Sequence, residues 1–307
     1  MILGLTLAGP VVLGVANGAA YGLMAIGLVL IYKSTKVFNF AAGEFATVGA
    51  FGAFFYGTSN WNLPYPLAML IGILAGTAMG LLTERLVVRP LAERPKVTLL
   101  VATAAVATIL IPVELIVGGP KPFQAPPAFR HGMTILGGHI TSKLGPTVFN
   151  IHVSPQTLLV LLALGISGVV LAWFFARTDL GLATLATSQE PTASRLMGIR
   201  ANRISMLVWG TAGLLGGIAG VLLPPIGSTF SAGFGTTQVL ISAFTAAVVG
   251  GMTSVPGAFV GGMLVGVVQA LAQTNLNSVP GASYDAVLIL LVVVLLARPT
   301  GLLGREA

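Results

Sequence analysis

Long apolar runs dominate the pattern of positions along the chain. A helix needs about 20 apolar residues to cross the hydrocarbon core of a bilayer. Six such runs lie at about 7–31, 37–57, 64–83, 97–118, 155–177 and 204–223, and three shorter ones at about 237–252, 256–273 and 283–298. Pro256 and Gly257 separate the first two short runs, so 237–273 forms either two spans or a re-entrant pair of half-helices. The pattern predicts an all-α, polytopic transmembrane bundle of eight or nine membrane segments.

Composition agrees with a lipid environment. Of the 307 residues, 55% are hydrophobic and only 7% are charged, far below the roughly 25% charged that a soluble domain carries. The absence of cysteine excludes disulfides, thiolate metal sites and cysteine nucleophiles. The net charge of +7 comes from basic residues spread between apolar spans, which fits membrane orientation and not binding of nucleic acid.

Lysine and arginine predict the orientation of the chain. If the spans alternate, one side holds twelve basic residues: Lys33, Lys36, Arg85, Arg89, Arg94, Lys96, Arg177, Arg195, Arg200, Arg203, Arg298 and Arg305. The other side keeps Lys121, Arg130 and Lys143, in a connection over about 119–153. By the positive-inside rule the N-terminus is outside, the C-terminus is cytoplasmic, and the loop over about 178–203 is cytoplasmic.

Glycines at a spacing of four residues give several helices a smooth face. They are Gly14, Gly18 and Gly22; Gly72, Gly76 and Gly80; Gly213 and Gly217; and Gly216 and Gly220. Small residues at this spacing let helix backbones approach closely in a membrane. The spacing predicts close helix crossings, which are equally expected in channels, transporters and inert bundles.

Glu44, within FNFAAGEFATVGA, is the clearest ionisable residue inside an apolar run. Such a residue is costly in lipid and needs a partner, water or a cavity. Asn39 precedes it by five residues, about 500° around a helix, so a regular helix directs the two side chains differently. An unwound turn at Ala42 and Gly43 would bring them together. Either this segment lines the route of a polar solute, or Glu44 joins two helices by hydrogen bonds.

Further polar residues interrupt the apolar runs: Asn17, Glu114, Gln238, Thr245, Gln269 and Asp285. Each faces a cavity or bonds a neighbouring helix, and packing is the commoner role for one alone. Glu114 and Asp285 lie near the predicted outer ends of their spans, where water reaches them at little cost. We take Asn39, Glu44, Gln238 and Thr245 as candidates for lining a translocation path.

The sequence lacks the common motifs of catalysis and ATP binding. HExxH, GxSxG and GxxxxGK[ST] do not occur. Three histidines, His131, His139 and His152, lie in the predicted outer connection without the spacing of metal ligands. We therefore expect no catalytic residue, no metal and no cofactor. If ATP drives the protein, another subunit must supply the ATPase.

The cytoplasmic loop offers a docking place for such a subunit. Pro191 suits the first turn of a helix, Glu190 favours its positive end, and Gly198 suits its termination. This pattern predicts a short surface helix carrying Arg195, which acts either as a lever or as an ordinary connection.

Three ordered blocks resemble LivH-type permeases of bacterial branched-chain amino-acid ABC importers. They are GAAYGLMAIGLVLIYKSTKVFNFAAGEFATVGAF near the start, TASRLMGI in the cytoplasmic loop and VVGGMTSVPGAFVGGMLVGVVQ near the end. The most specific pieces are NFAAGE, residues 39–44, and GGMTSVPGA, residues 250–258. The resemblance extends over almost the whole chain in the same order.

The resemblance implies one transmembrane permease domain over 1–307, a multi-pass subunit of the bacterial cytoplasmic (inner) membrane. Its implied partners are a second related permease, two cytoplasmic ABC ATPases and an extracytoplasmic solute-binding protein. Glu190, Arg195 and Gly198 would belong to the helix that couples it to an ATPase. Leu185 and Ser194 replace the basic residue and the alanine common at those places, so the details of that contact are expected to differ.

The implied cargo is leucine, isoleucine and valine, and alternatives stay open within and outside this class. Similar permeases serve urea, short amides, other amino acids or a sugar. Outside this class, the chain would be an ion-coupled secondary carrier or a passive channel. Such a carrier normally has paired broken helices at mid-membrane, and breaks near Gly43 and Pro256 are compatible with it.

Overall fold

The computed structural model describes residues 8–126, 155–189, 194, 197, 200–227 and 229–304. Its α-helices are α1 (Ala8–Thr35), α2 (Ala42–Ala50), α3 (Tyr65–Thr83), α4 (Lys96–Gly118), α5 (Pro155–Arg177), α6 (Asp179–Gln189), α7 (Ala201–Leu222), α8 (Pro224–Gly227), α9 (Leu240–Gly250), α10 (Val255–Asn275) and α11 (Ala282–Ala297). π-Helical stretches continue α2 over Phe51–Asn60 and α3 over Glu84–Val88, and a third, Gly235–Val239, leads into α9. Two short strands, β1 (Phe123–Gln124) and β2 (Thr229–Phe230), pair antiparallel.

The lengths of these helices confirm a polytopic transmembrane bundle. Within the described ranges, five helices are long and apolar enough to span a bilayer: Pro10–Thr35, Tyr65–Val88, Lys96–Gly118, Ala201–Gly227 and Val255–Asn275. Shorter apolar helices cover Leu158–Leu171, Gly235–Gly250 and Ala282–Ala297. The second half of the 237–273 segment is thus a full-length helix. The number of crossings, eight or nine, and the orientation of the termini stay predictions.

The turn between α9 and α10 follows the local chemistry of its residues. Gly251 ends α9 with a φ of +106°, in a region that side chains rarely adopt. Ser254 caps α10, because its Oγ accepts a hydrogen bond from the backbone N–H of Gly257 at 3.0 Å. Pro256 lies in the first turn of α10, where its missing N–H costs nothing. The break predicted at Pro256 is therefore a turn between two helices.

Two glycine-lined seams hold the bundle together, as the glycine spacing predicts. In the first seam α1 packs against α10, and a Cβ built on Gly14 would lie 2.6 Å from the Cα of Val267. In the second seam α3 packs against α7, and a Cβ on Gly76 would lie 2.6 Å from the Cα of Gly217. Real Cβ atoms do not approach a backbone so closely, so these two contacts require glycine.

Burial divides the bundle into a centre and a rim. The most apolar 18-residue stretch of α1 is 89% buried, and that of α7 is 72% buried. The corresponding stretch of α4 is only 17% buried. α1 and α7 therefore form the core, whereas α4 lies at the rim with most of its surface uncovered within the chain.

An ion pair lies where α3 approaches the start of α7. The Arg89 guanidinium donates to both carboxylate oxygens of Glu84, at 3.2 and 2.8 Å. Glu84 is 1% exposed, and Nη2 of Arg89 also lies 3.7 Å from the sulfur of Met206. These contacts place the basic segment after α3 beside the basic segment before α7, at one end of the bundle.

The predicted cytoplasmic loop, 178–203, is helical in its first part. α6 begins directly after Thr178, whose hydroxyl accepts the backbone N–H of Gly181 at 3.0 Å. The coupling candidates Glu190, Arg195 and Gly198 lie outside the described residues. The histidines His131, His139 and His152 also lie outside them, as does most of the predicted outer connection.

Gly18→Leu tests the α1–α10 seam. A Cβ at Gly18 would lie 2.8 Å from the Cα of Met263, so the two helices must separate, at a cost of about 1–3 kcal/mol or more. We expect a lower midpoint of thermal unfolding, measured by intrinsic fluorescence in detergent. Gly165→Leu on α5 is the matched control, because a Cβ there meets nothing within 4 Å. Equal midpoints for the two variants would contradict the seam.

Candidate functional site

The start of α2 is held inside the bundle by polar contacts to unwound backbone. Val37–Asn39 adopt no regular structure, and α2 begins at Ala42. The Asn39 Oδ1 accepts the backbone N–H of Ala41 at 3.0 Å, a local bond that competes with helix. The backbone N–H of Phe40 donates to the Thr103 hydroxyl of α4 at 3.2 Å. The unwinding that brings Asn39 near the start of α2 thus precedes Ala42 and Gly43, which are both helical.

A second helix begins beside the first turn of α2. The backbone N–H of Gly235 donates to the Thr47 hydroxyl at 2.9 Å. A Cβ on Gly43 would lie 2.6 Å from the Cα of Thr236, so only glycine allows this approach. The N-terminal turns of two helices thus meet. Both ends carry partial positive charge from the helix dipole.

Two carboxyl groups lie at this meeting point. Glu44 is in the first turn of α2 and is fully buried. Glu114 of α4 is 6% exposed, and its Oε2 accepts the backbone N–H of Gly233 at 2.8 Å. The two carboxyl groups are near enough to influence each other electrostatically. We call Glu44, Glu114 and the adjacent Thr236 the carboxyl site.

The carboxyl site has hydrogen-bonding capacity that the protein itself does not use. Both oxygens of Glu44, Oε1 of Glu114 and the hydroxyl of Thr236 are buried without a donor or acceptor among the described residues. Two adjacent carboxylates repel each other in a medium of low polarity unless a proton or a cation lies between them. The arrangement is therefore suited to binding a positively charged group, such as an ammonium, with helix N-termini nearby for an anion.

An aromatic cluster covers this part of the bundle next to the paired strands. The ring of Phe51 lies 5.4 Å from those of Phe123 in β1 and Phe230 in β2. Phe54 extends the cluster with its ring 5.8 Å from that of Phe230, and Phe55 with its ring 5.0 Å from that of Phe123. Phe51 lies seven residues after Glu44, about 10 Å along the helix. The cluster closes the strand side of the bundle beyond the carboxyl site.

The four predicted path residues do not share one place. Asn39 and Glu44 both lie at the start of α2, and both are buried. Thr245 is buried on α9, nine residues beyond Thr236 and thus about 13 Å further along the helix. Gln238 is exposed on the surface of the chain. Their role in a path stays a prediction, and the structure gathers only the first two.

Sequence reasoning did not select Glu114 or Thr236. Glu114 was expected near an outer end within reach of water, but it is buried and bonded to the backbone of Gly233. The run AGFG, residues 232–235, could have indicated a partner for an acidic side chain, because glycines before a helix expose backbone N–H groups. Within the described ranges, no three histidine, aspartate or glutamate side chains form a possible metal site.

A family model for the permease component of the branched-chain amino acid transport system matches residues 11–297. The chain belongs to this family. The permease is 31% identical over 305 residues to BraD of Pseudomonas aeruginosa, a high-affinity branched-chain amino acid transport system permease protein, with 95% of this chain and 94% of BraD covered. It is 28% identical over 301 residues to LivH of Escherichia coli K12, with the same coverage of both chains. The resemblance to LivH-type permeases is confirmed.

The permease is also similar to a protein named for a sugar. It is 26% identical over 282 residues to the ribose import permease protein RbsC of Escherichia coli K12, with 90% of this chain and 80% of RbsC covered. The relatives are therefore named for chemically different solutes, branched-chain amino acids and a sugar. Similarity along the chain indicates a common scaffold and does not by itself identify the cargo.

A double-mutant cycle with Glu44→Gln and Glu114→Gln tests the carboxyl site. Each single change removes the repulsion between like groups, so we expect an equal or higher midpoint of thermal unfolding. The effects should be non-additive by at least about 0.5 kcal/mol, as for residues in contact. The control cycle pairs Glu44→Gln with Asp285→Asn, an exposed carboxyl of α11. Additive changes in both cycles would mean that Glu44 and Glu114 act independently.

Proposed function

We propose that the permease is the membrane-spanning subunit of an ABC importer that carries leucine, isoleucine and valine across the bacterial inner membrane. The family match over residues 11–297 and the 31% identity to BraD support this function. ATP hydrolysis belongs to partner subunits, since the sequence has no GxxxxGK[ST] motif. The permease itself is a transport subunit and not an enzyme. Its proposed partners are a second related permease, two cytoplasmic ABC ATPases and an extracytoplasmic solute-binding protein.

The carboxyl site is the observation that most directly supports transport of an amino acid. An amino acid is a zwitterion, with an ammonium and a carboxylate separated by one carbon atom. Glu44 and Glu114 suit the ammonium, while the partial positive charge at the start of a helix suits the carboxylate. A branched side chain would lie against the neighbouring Phe51 and Phe230. In this proposal Asn39 and Glu44 line the path, and Gln238 and Thr245 belong to other parts of it.

Transport is proposed to follow alternating access. ATP binding brings the ATPases together and moves the coupling helix that contains Glu190, Arg195 and Gly198. The rigid glycine seams then transmit this movement to the start of α2. Opening of the aromatic cluster admits the amino acid from the binding protein. When the helices return to their first arrangement, the amino acid is released on the cytoplasmic side.

An ion-coupled secondary carrier is the second candidate, because one feature favours it. α2 and the helix beginning at Gly235 both start inside the bundle beside acidic side chains, as discontinuous helices do in such carriers. The source of energy separates the two functions. Uptake that survives ATP depletion but stops when an ionophore collapses the ion gradient would favour the carrier.

Deletion of the gene tests the cargo. We expect selective loss of uptake of labelled leucine, isoleucine and valine at low concentration, with urea, an amide and a pentose as comparison solutes. Restoring the wild-type gene should recover uptake, whereas Glu44→Gln should recover it only partly if the carboxyl site binds the ammonium. Loss of a different solute would keep the importer and replace its cargo. Full recovery by Glu44→Gln would assign Glu44 a structural role.

Gly198→Pro tests the coupling helix. Proline removes a backbone N–H and restricts the preceding residue. The coupling helix can therefore no longer end in the way that Gly198 allows. We expect loss of ATP-driven uptake in vesicles, with unchanged amounts of the permease in the membrane by immunoblot. Gly198→Ala is the matched control and should retain most of the uptake. Normal uptake by the proline variant would exclude this helix as the lever.

A further inference from the structure

An open groove lies on the outside of the bundle, along the line where α3 packs against α7, near the basic end of the bundle. It has a volume of about 460 Å³ and is lined by side chains of both helices. Thr77 and Leu81 form one wall, and the other runs from Arg203 through Gly210 to Leu214. Neither the carboxyl site nor the coupling helix includes any of these residues. The groove therefore lies on a glycine seam but away from the site proposed to bind the cargo.

The groove covers only half of the membrane. Its α7 wall extends from Arg203 to Leu214, eleven steps of 1.5 Å or about 16 Å along the helix. The hydrocarbon core of a bilayer is about 30 Å thick, so one leaflet accounts for about 15 Å. Thr77 at the inner end also lies near the middle of the span Tyr65–Val88. The groove thus runs from the membrane surface to the midplane, the extent of one lipid chain.

The wall of the groove is apolar despite its two threonines. The Thr77 hydroxyl donates to the carbonyl of Ile73 at 2.8 Å, and the Thr211 hydroxyl donates to that of Leu207 at 2.8 Å. Both hydroxyls are thus bonded within their own helices, and their methyl groups are free to contact hydrocarbon. Leu81 packs directly on Gly210, where a Cβ would lie 2.8 Å from its Cδ2, and this contact forms the apolar floor of the groove.

The mouth of the groove carries a positive charge without an acidic partner. Arg203 is exposed and has no carboxylate within salt-bridge distance among the described residues. Arg89 lies close by, next to Met206 of the groove wall, but its guanidinium is already bonded to Glu84. A guanidinium at the membrane surface forms paired hydrogen bonds with a phosphate. The charge at the mouth therefore complements an anionic headgroup.

We propose that this groove binds one acyl chain of an anionic phospholipid whose phosphate contacts Arg203. The length of the groove, its apolar wall and the charge at its mouth fit such a lipid together. A transmembrane helix of another subunit would instead need a contact surface that continues beyond the midplane. The lipid would lie on the outer surface of the α3–α7 seam, where the chain leads from the cytoplasmic loop into the membrane.

Native mass spectrometry of the purified importer, titrated with phosphatidylglycerol, tests the proposal. Loss of one basic contact near the membrane surface corresponds to about a five-fold weaker affinity. We expect this loss for Arg203→Gln and not for Arg200→Gln, which removes an exposed arginine outside the groove. Binding of phosphatidylcholine should change little in either variant.

Thr211→Phe supplies an independent test, because it fills the groove and leaves the charge at its mouth. It should lower the number of retained phosphatidylglycerol molecules by one. Equal losses for Arg203→Gln and Arg200→Gln would show a diffuse attraction to the basic surface and overturn the proposal. Unchanged retention by Thr211→Phe would overturn it as well. Crosslinking of a photoreactive residue at position 214 to the second permease instead of to lipid would also overturn the proposal.

Discussion

Direct approach of helix backbones at glycine is the interaction on which the rest of this bundle depends. Lipid chains are as apolar as leucine, so helices in a membrane associate through close packing and not through burial from water. α2 rests on α7 in the same manner as the two long seams, since a Cβ on Gly216 would lie 2.8 Å from the Cβ of Phe45. The position of Glu44, one residue earlier, thus follows from glycines on another helix.

This packing makes irregular backbone tolerable inside the bundle. Unwound residues at membrane depth are stable only where protein or a water-filled cavity satisfies their polar groups. Thr103 supplies a partner for the backbone before α2, while Glu114 and Thr47 supply partners for the backbone before α9. The same groups that permit two helices to begin inside the bundle also make the carboxyl site polar. Structural requirement and candidate function therefore involve the same residues.

The sequence predicted features that depend on local pattern. Four of the six long apolar runs coincide with helices long and apolar enough to span a bilayer, and the four-residue spacing of glycine located the seams. Features that depend on distant partners were not predictable: Glu114 contacts Gly233, which is 119 residues away, and the exposure of Gln238 depends on the rotation of one helix. The start of α2 was misplaced by a few residues because Asn39 bonds the backbone of Ala41, a contact that competes with helix without a clear sequence signal.

A fully buried carboxyl site requires motion before any solute can reach it, and the packing indicates where motion costs least. Separating α1 from α10 would open a continuous glycine seam and forfeit close contacts along it. α4 is attached differently, since little of its surface is buried and Thr103 and Glu114 supply its described polar contacts with α2 and the segment before α9. Displacing α4 breaks few contacts, carries Glu114 away from Glu44 and opens a route to Glu44. Rigid seams and a loosely held rim helix thus allow the same bundle to be stable and to open.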